Sequence, residues 1–271
     1  MSAVTQAAVT RIDKGPVAWL SLNRAEAMNA LDERMLDDLA AHLSDIEDER
    51  DVRVVVVTAT GRAFCAGADL KEVLGPDGKV DPARLLAFEK GAAETFDTLA
   101  SLPKPVIAAL NGITMAGGLE LALHCDLVVA SAEARLGDGH INYGLLPGAG
   151  GAARLPRVVG PTRAKYLAFT GELVTAEEAQ AMGLVNEVVP ADQLVARAEE
   201  LATTIARRSP SALRLFKQAI DDGLDQPLAS ALRLERLVTA EHLHSGDVDE
   251  GLRAFAEKRA PLFETTSGGT R

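Results

Sequence analysis

The sequence predicts an α/β fold with a parallel-type core, followed by a helical C-terminal region. Strand-like and helix-like segments alternate through the first two thirds of the chain, which is typical of parallel strands joined by crossover helices. Residues 54–57 are all valine, as expected for a strand that is buried on both faces. From Ala191 onward, amphipathic helical patterns follow one another without a strand candidate. We therefore expect a core with the functional site over residues 1–195 and a helical region suited to oligomerisation over 196–271.

The individual elements are predicted from the spacing of their apolar residues. Asn29 is expected to cap the first helix, with Asp32 near its positive end. Short apolar runs predict strands at 17–22, 54–57, 105–110 and 127–130. Apolar residues at steps of three and four predict helices from 29, at 82–102, from 117, and at 193–207, 210–222 and 228–244.

Composition and charge exclude several classes of function. With 271 residues, of which 47% are hydrophobic, the chain can bury a sizeable core. A formal net charge of -11 argues against nucleic-acid or anionic-lipid partners, so an anionic ligand must be held by local groups. Cys65 and Cys125 lie in apolar surroundings typical of reduced thiols, and no leader or long apolar segment is present, which predicts a cytoplasmic protein. Metal-ligand spacing and the Gly-x-Ser-x-Gly elbow of hydrolases are both absent from the sequence.

Residues 108–120 predict a strand that breaks at glycines and restarts as a helix. The N–H groups of a helix start have no intrahelical partner, and Gly117 and Gly118 let a ligand approach them closely. A second small-residue loop, 66–68, follows the valine strand. If the two strands are neighbours, one N–H from each loop can bind a single carbonyl oxygen as an oxyanion hole. Close packing of small residues is the alternative explanation.

Two side chains near these loops are candidates for acid/base chemistry. Glu120 lies one helical turn after the second loop, so its carboxylate can reach the same pocket, although a first-turn Glu is also an ordinary partner of the helix dipole. Asp138 and His140 alternate along an extended segment, so Asp138 can orient an imidazole whose ordinary pKa suits proton transfer. The alternative for His140 is a solvated loop histidine. His124 is interpreted as a core histidine.

Motifs along nearly the whole chain match one family pattern. They are Leu22-Asn23-Arg24, Met28-Asn29-Ala30-Leu31, residues 63–71, Asn111-Gly112, residues 117–122 with Cys125-Asp126, residues 144–151 and residues 255–261. In this order they resemble the crotonase, or enoyl-CoA hydratase/isomerase, superfamily. The resemblance implies a spiral of ββα turns followed by a helical C-terminal region, assembled as homotrimers that often pair into hexamers.

The resemblance also implies a site for an acyl-CoA. The backbone N–H groups of Ala68 and Gly117 would form the oxyanion hole for the thioester carbonyl and so stabilise an enolate. Coenzyme A would enter as part of the substrate, with no permanently bound cofactor and no metal. Residues that would contact the CoA arm, its phosphates or the reacting water are Arg24, Ala66, Asp69, Leu70, Lys71, Gly148 and, from a neighbouring subunit, Lys258.

The catalytic pair departs from the family pattern. Glu120 matches the first of the two catalytic glutamates of hydratases, but His140 stands where the second is expected. A carboxylate and an imidazole in opposite protonation states can still share acid and base duties. The leading prediction is hydration of a 2-enoyl-CoA to a 3-hydroxyacyl-CoA, in fatty-acid or related acyl-CoA catabolism. The alternatives are a hydrolase, C–C lyase or isomerase of the same family that uses His140 as a base, and a non-catalytic acyl-CoA-binding protein. Residues 74–88 are expected to supply the wall of the acyl pocket.

Overall fold

The computed structural model describes residues 6–71, 74 and 78–263, and these residues form two β-sheets surrounded by helices. The strands are β1 (Val9–Lys14), β2 (Val17–Leu22), β3 (Val54–Ala59), β4 (Ala63–Cys65), β5 (Val106–Leu110), β6 (Ile113–Met115), β7 (Leu127–Ser131), β8 (Arg135–Gly137), β9 (Val174–Thr175) and β10 (Glu187–Val189). The α-helices are α1 (Glu33–Asp48), α2 (Pro82–Ser101), α3 (Gly117–Leu123), α4 (Gly151–Val159), α5 (Pro161–Thr170), α6 (Ala176–Met182), α7 (Leu194–Ala206), α8 (Pro210–Leu224), α9 (Leu228–His242) and α10 (Gly246–Glu257).

The chain alternates between the two sheets as it advances. The larger sheet has the order β1-β2-β3-β5-β7-β10, and only its β1/β2 pair is antiparallel. The smaller sheet has the order β4-β6-β8-β9, with β4, β6 and β8 parallel. Each of β3, β5 and β7 in the first sheet is therefore followed by one strand of the second sheet and then by helix. This repetition confirms the predicted spiral of ββα turns.

The valine strand is buried on both faces, as predicted. Val55 and Val57 belong to the main core cluster, whereas Val54 and Val56 belong to a second cluster on the opposite face of the sheet. All four side chains are fully buried. Burial of a β-branched side chain contributes roughly 1.5–3 kcal/mol, so this strand is a strong anchor for the loops that follow it.

Helix α7 covers the second face of the larger sheet. Its residues Ala198, Ala202 and Ala206 pack in the same cluster as Val54 and Val56. The predicted division after residue 195 therefore falls within α7, a helix that packs on the sheet, and α8, α9 and α10 follow it along the chain. The last of these helices was not among the predicted elements.

The start of the first helix differs from the prediction. The helix begins at Glu33, and the Asp32 carboxylate accepts the Met35 N–H at 2.8 Å as its cap. Asn29 is fully buried at a φ of 53° and is not the cap. Its side-chain amide donates instead to the carbonyl oxygens of Thr60 and Ala63, both at 2.8 Å. An asparagine can either cap a helix or bind the backbone of another loop with the same side-chain amide. The sequence alone therefore does not show which of these roles Asn29 has.

Candidate active site

Two loops that leave adjacent parallel strands meet at one end of the smaller sheet. Strand β4 ends at Cys65 and its neighbour β6 ends at Met115, so the loops after them start side by side. A Cβ built on Gly118 would lie 2.2 Å from the Cys65 carbonyl oxygen. Only glycine permits this approach of two backbones, since the clash is with a carbonyl rather than a flexible side chain. The two loops are neighbours, as predicted. They do not follow β3 and β5 directly, however, because the short strands β4 and β6 lie between those strands and the loops.

Two backbone N–H groups point into the space between these loops. Leu31 pairs with the first loop by donating to Gly67 O at 2.8 Å and accepting from Asp69 N at 2.8 Å, which turns the N–H of the intervening Ala68 to the other side. Gly117 is the first residue of α3, where an N–H has no intrahelical acceptor. Neither N–H donates to a protein acceptor within the described residues. A Cβ built on Gly117 would lie 3.7 Å from the Ala68 nitrogen, so the two donors are neighbours.

The residue before this helix is held in a strained conformation. Ala116 has φ 52° and ψ −121°, a backbone conformation that residues other than glycine rarely adopt. Its N–H donates to Gly137 O at 3.2 Å, and its carbonyl accepts from Glu120 N at 3.0 Å. Such strain costs on the order of 1–3 kcal/mol and persists where the surroundings enforce it, which is common at active sites.

Glu120 is buried and its carboxylate is fixed by backbone donors. Its Oε1 accepts the N–H groups of Ala149 and Gly151, both at 2.9 Å, at the start of α4. Only 4% of the residue is exposed. The other oxygen, Oε2, faces Nε2 of His140 at 3.6 Å. One oxygen is thus used for orientation and the other is left for chemistry.

His140 lies between two carboxylates. It begins a short 3-10 turn, His140–Tyr143, and its Nδ1 lies 3.1 Å from Asp138 Oδ1. Burial alone lowers the pKa of His140, but the interactions with Asp138 and Glu120 outweigh burial and raise the pKa to about 9. The imidazole is therefore protonated at neutral pH. Asp138 orients it, as the alternating spacing predicted, and it is not a solvated loop histidine.

These groups line a cavity of about 40 Å³. That volume holds only a few water molecules, at about 10–15 Å³ each. The structure brings together Ala68, Gly117, Glu120 and His140 on its wall, and also Leu70 and Gly148. Within the described residues, the N–H of Gly148 has no acceptor. The catalytic and binding roles of these cavity-lining residues stay predictions.

The opposite wall of the cavity comes from helix α2. Leu85, Phe88, Ala92 and Phe96 line it, so the wall extends beyond the predicted 74–88. Part of that predicted segment, residues 75–77, lies outside the described residues. Glu89 also lines the cavity, and a Cβ built on Gly148 would lie 2.7 Å from its Cδ. Burial, and then the nearby charge of Glu120, raise the pKa of this carboxyl.

Glu89 was not among the predicted site residues. Its only sequence signal is its place on the cavity-facing side of a predicted helix, one residue after Phe88 and three before Ala92. His124 fits its interpretation as a core residue, because its Nδ1 lies 2.7 Å from Glu120 O and its ring packs 5.5 Å from that of Phe96. Burial lowers the pKa of His124.

Only some of the residues predicted to hold coenzyme A lie close to the cavity. Ala66 and Asp69 belong to the first loop, where Ala66 N donates to Met28 O at 3.1 Å. The Arg24 guanidinium faces Asp69 Oδ2 at 3.0 Å and Asp32 Oδ2 at 3.2 Å, so it is already ion-paired. Lys71 is exposed beside the loop, and Lys258 is exposed at the end of α10. Neither lysine lines the cavity.

Within residues 6–71, 74 and 78–263, no group of three or more His, Cys, Asp or Glu side chains is placed to hold a metal ion. Among the same residues, no helix combines the length and apolar character needed to cross a membrane.

Comparisons with known proteins agree with this geometry. Residues 13–266 match the family model described as enoyl-CoA hydratase/isomerase. YngF of Bacillus subtilis is 43% identical over 249 residues, covering 92% of this chain and 94% of the relative. The short-chain-enoyl-CoA hydratase of Clostridium acetobutylicum is 37% identical over 247 residues, covering 91% of this chain and 93% of the relative. The crystal structure of an enoyl-CoA hydratase from Bacillus anthracis superposes with a TM-score of 0.91 at 39% identity, covering 96% of this chain and all of that one. The chain therefore belongs to the enoyl-CoA hydratase/isomerase family.

Proposed function

We propose that this protein hydrates a 2-enoyl-CoA to the 3-hydroxyacyl-CoA. The observation that carries the proposal is the pairing of a fixed Glu120 carboxylate with a protonated His140 at 3.6 Å. Syn addition of water needs one base and one acid on the same face of the substrate, and this pair supplies both at neutral pH.

The two unused N–H groups supply the electrostatic part of the reaction. With the thioester oxygen between Ala68 N and Gly117 N, negative charge that develops on that oxygen is stabilised by two backbone dipoles and by the start of α3. An oxyanion donor of this kind contributes about 10²–10³ in rate. The acyl Cα and Cβ then lie over Glu120 and His140, which line the same cavity.

The proton transfers balance within the pair. Glu120 Oε2 takes a proton from water as the water oxygen bonds to Cβ, and the Cα=Cβ electron pair moves toward the thioester carbonyl. Nε2 of His140 gives its proton to Cα as the carbonyl re-forms. Glu120 is then protonated and His140 neutral, and one transfer across the 3.6 Å gap restores the starting state. The N–H of Gly148, next to the residue that binds Glu120, is available to hold the water.

The same pKa weighs against the alternative in which His140 is a general base. A group with a pKa of about 9 already carries its proton at neutral pH and accepts no second one. Its charged neighbours, Asp138 and Glu120, both favour the protonated form. The His140-base hydrolase or lyase is therefore the less favoured function.

The cavity and the surface add two features to the proposal. Leu85, Phe88 and Phe96 of α2 close one side of the cavity, which favours a short acyl chain, since a long one would require α2 to move. Helices α8 to α10 expose large apolar side chains, including Phe216, Leu224 and Phe255, which supports assembly into a homotrimer or a hexamer. In such an assembly Lys258 of one subunit would approach the CoA phosphates of another.

A substrate panel tests the reaction. The purified protein is given crotonyl-CoA, longer, branched and cyclic 2-enoyl-CoAs, and 3-oxoacyl-CoAs, and loss of the enoyl absorbance and formation of products are followed. We expect hydration of short 2-enoyl-CoAs by the native protein and its loss in Glu120→Gln and His140→Ala. Turnover of 3-oxoacyl-CoAs alone would favour the hydrolase or lyase, and binding without turnover would favour an acyl-CoA-binding protein. Unchanged hydration by His140→Ala would refute the assignment of the pair.

A further inference from the structure

The side chain of Arg24 is directed inward, onto the segment that supports the oxyanion loop. Its Nη1 donates to Ala30 O, its Nη2 lies 3.0 Å from Asp69 Oδ2, and its Nε lies 3.2 Å from Asp32 Oδ2. Only 17% of the side chain is exposed. All three nitrogens of the guanidinium are thus engaged with acceptors of this chain.

The acceptors of Arg24 lie on both sides of the backbone pairing between residues 30–32 and the loop that carries Ala68. Ala30 and Asp32 flank Leu31, whose backbone binds Gly67 O and Asp69 N. Asp69 directly follows Ala68, so one guanidinium ties both sides of this pairing together.

The rest of the segment follows the same loop. Asn29, buried beside Arg24, donates to the carbonyls of Thr60 and Ala63, and Met28 O accepts the Ala66 N–H. Arg24 is attached to this network through its own N–H, which donates to Asn29 Oδ1 at 2.8 Å. Residues 24–32 therefore run along residues 60–69 and hold them in place, and we call residues 24–32 the splint.

We propose that Arg24 is a positioning residue that fixes the Ala68 N–H in the oxyanion hole, through Asp69 and Ala30, and is not a ligand of the CoA phosphates. A phosphate would have to displace Asp32 or Asp69 from a mostly buried guanidinium and leave a carboxylate without its counter-charge, which is unfavourable. The direction of the Ala68 N–H depends on a single backbone pairing, and a misplacement of about 1 Å can cost about 10²-fold in rate.

The test compares Arg24→Gln, Arg24→Lys and Asp69→Asn with Arg50→Gln, a control at an exposed arginine outside the splint. Three quantities are measured: kcat for crotonyl-CoA, the Kd of free CoA, and the red shift of a bound cinnamoyl-CoA chromophore, which reports polarisation of the thioester carbonyl. We expect Arg24→Gln to lower kcat by about 10–100-fold and to reduce the red shift, with the Kd of CoA within about twofold. Arg24→Lys should recover only part of the loss, because one ammonium does not reach three acceptors in a fixed fork.

Asp69→Asn decides between the two roles even if Arg24→Gln does not fold. In a positioning role it lowers kcat and the red shift without changing the Kd of CoA. In a phosphate-binding role it releases Arg24 and tightens CoA binding. A rise of tenfold or more in the Kd of CoA for Arg24→Gln, with kcat and the red shift intact, would overturn the proposal.

The inference rests on the proposed oxyanion chemistry, but it fails separately from it. If no enoyl-CoA is hydrated while the native protein still shifts the chromophore and Arg24→Gln does not, the proposed reaction fails and the positioning role stands.

Discussion

The two halves of the proposed site are built from different parts of the chain, one from backbone groups and the other from side chains. The oxyanion half consists of the backbone N–H groups of Ala68 and Gly117, set by strand pairing and a helix start. The acid/base half consists of the side chains of Glu120, His140 and Asp138, set by ion pairs and by the N–H groups of Ala149 and Gly151 at the start of α4. The first half therefore depends on the fold, whereas the second depends on the identity of three side chains.

This difference explains how a family can share an intermediate and differ in its reactions. A backbone oxyanion hole tolerates substitution of most surrounding side chains, because its donors belong to the main chain. Replacing one acid/base group redirects the protons without disturbing the hole. In this chain we propose that the imidazole of His140 is such a replacement, and its pKa of about 9 keeps it protonated at neutral pH, as the proposed hydration requires.

Substitution of Glu120 should give the largest effect. Glu120→Gln keeps an acceptor for the N–H groups of Ala149 and Gly151 but removes the base, so kcat should fall about 10³-fold or more. Binding of cinnamoyl-CoA and its red shift should persist, because the oxyanion half is intact. Steady-state hydration rates and the bound spectrum measure the two halves separately. A variant that loses the red shift together with activity would contradict this independence.

Removing His140 should cost about 10²-fold in kcat and change the pH dependence. In the native enzyme kcat/KM should fall as pH rises through about 9, because the acid of the free enzyme loses its proton there. His140→Gln should lack this limb. The pKa is raised from 6.5, so the ion pairs of His140 stabilise the fold fully below about pH 6.5 and lose this contribution as pH rises toward 9.

The two pH effects are separable by experiment. Unfolding by urea, measured at pH 6, 7.5 and 9, should show a smaller pH dependence in His140→Gln than in the native protein. A basic limb that survives in the variant would assign it to another group.

The oxyanion half can be strained without changing any reacting side chain. In Gly117→Ala the new Cβ would lie 2.8 Å from Leu31 Cδ1, and Leu31 holds the backbone on both sides of Ala68. We expect kcat to fall about tenfold, with KM changed little. Gly91→Ala is the matched control, since its Cβ would meet no atom within 4 Å on helix α2. Full activity in Gly117→Ala would mean that Leu31 shifts without moving the hole.

The backbone half was the more predictable from sequence. Small residues after apolar strands mark a close approach of two loops, and the resemblance named Ala68 and Gly117 within them. The short strands β4 and β6 that deliver the loops were missed, because three residues carry too little periodic pattern. The prediction that Asn29 caps a helix was wrong, since a sequence does not show which distant backbone groups a polar side chain binds. The predicted role of Arg24 at a CoA phosphate stays untested.

The side-chain half was predictable only in part. Glu120 and His140 were identified, but the protonation of His140 depends on burial and on two carboxylates that converge only in three dimensions. Glu89 was missed for the same reason: its carboxylate reaches the cavity because α2 packs over it.

Glu89 should have the smallest effect of these substitutions, and a selective one. It adds a second carboxylate, beside Glu120, to a cavity whose only cation on the described wall is His140, so it should disfavour an acyl chain that ends in a carboxylate. In Glu89→Gln, hydration of crotonyl-CoA should change less than threefold. The kcat/KM ratio of glutaconyl-CoA to crotonyl-CoA should rise by about fivefold, which matches about 1 kcal/mol for a part-exposed charge pair.

Glu94→Gln, on the same helix but outside this cavity, should leave the ratio unchanged. Because the pKa of Glu89 is raised, native discrimination should weaken as pH falls and Glu89 takes up its proton. An equal ratio in native protein and Glu89→Gln would mean that acyl selection depends on the shape of the α2 wall alone.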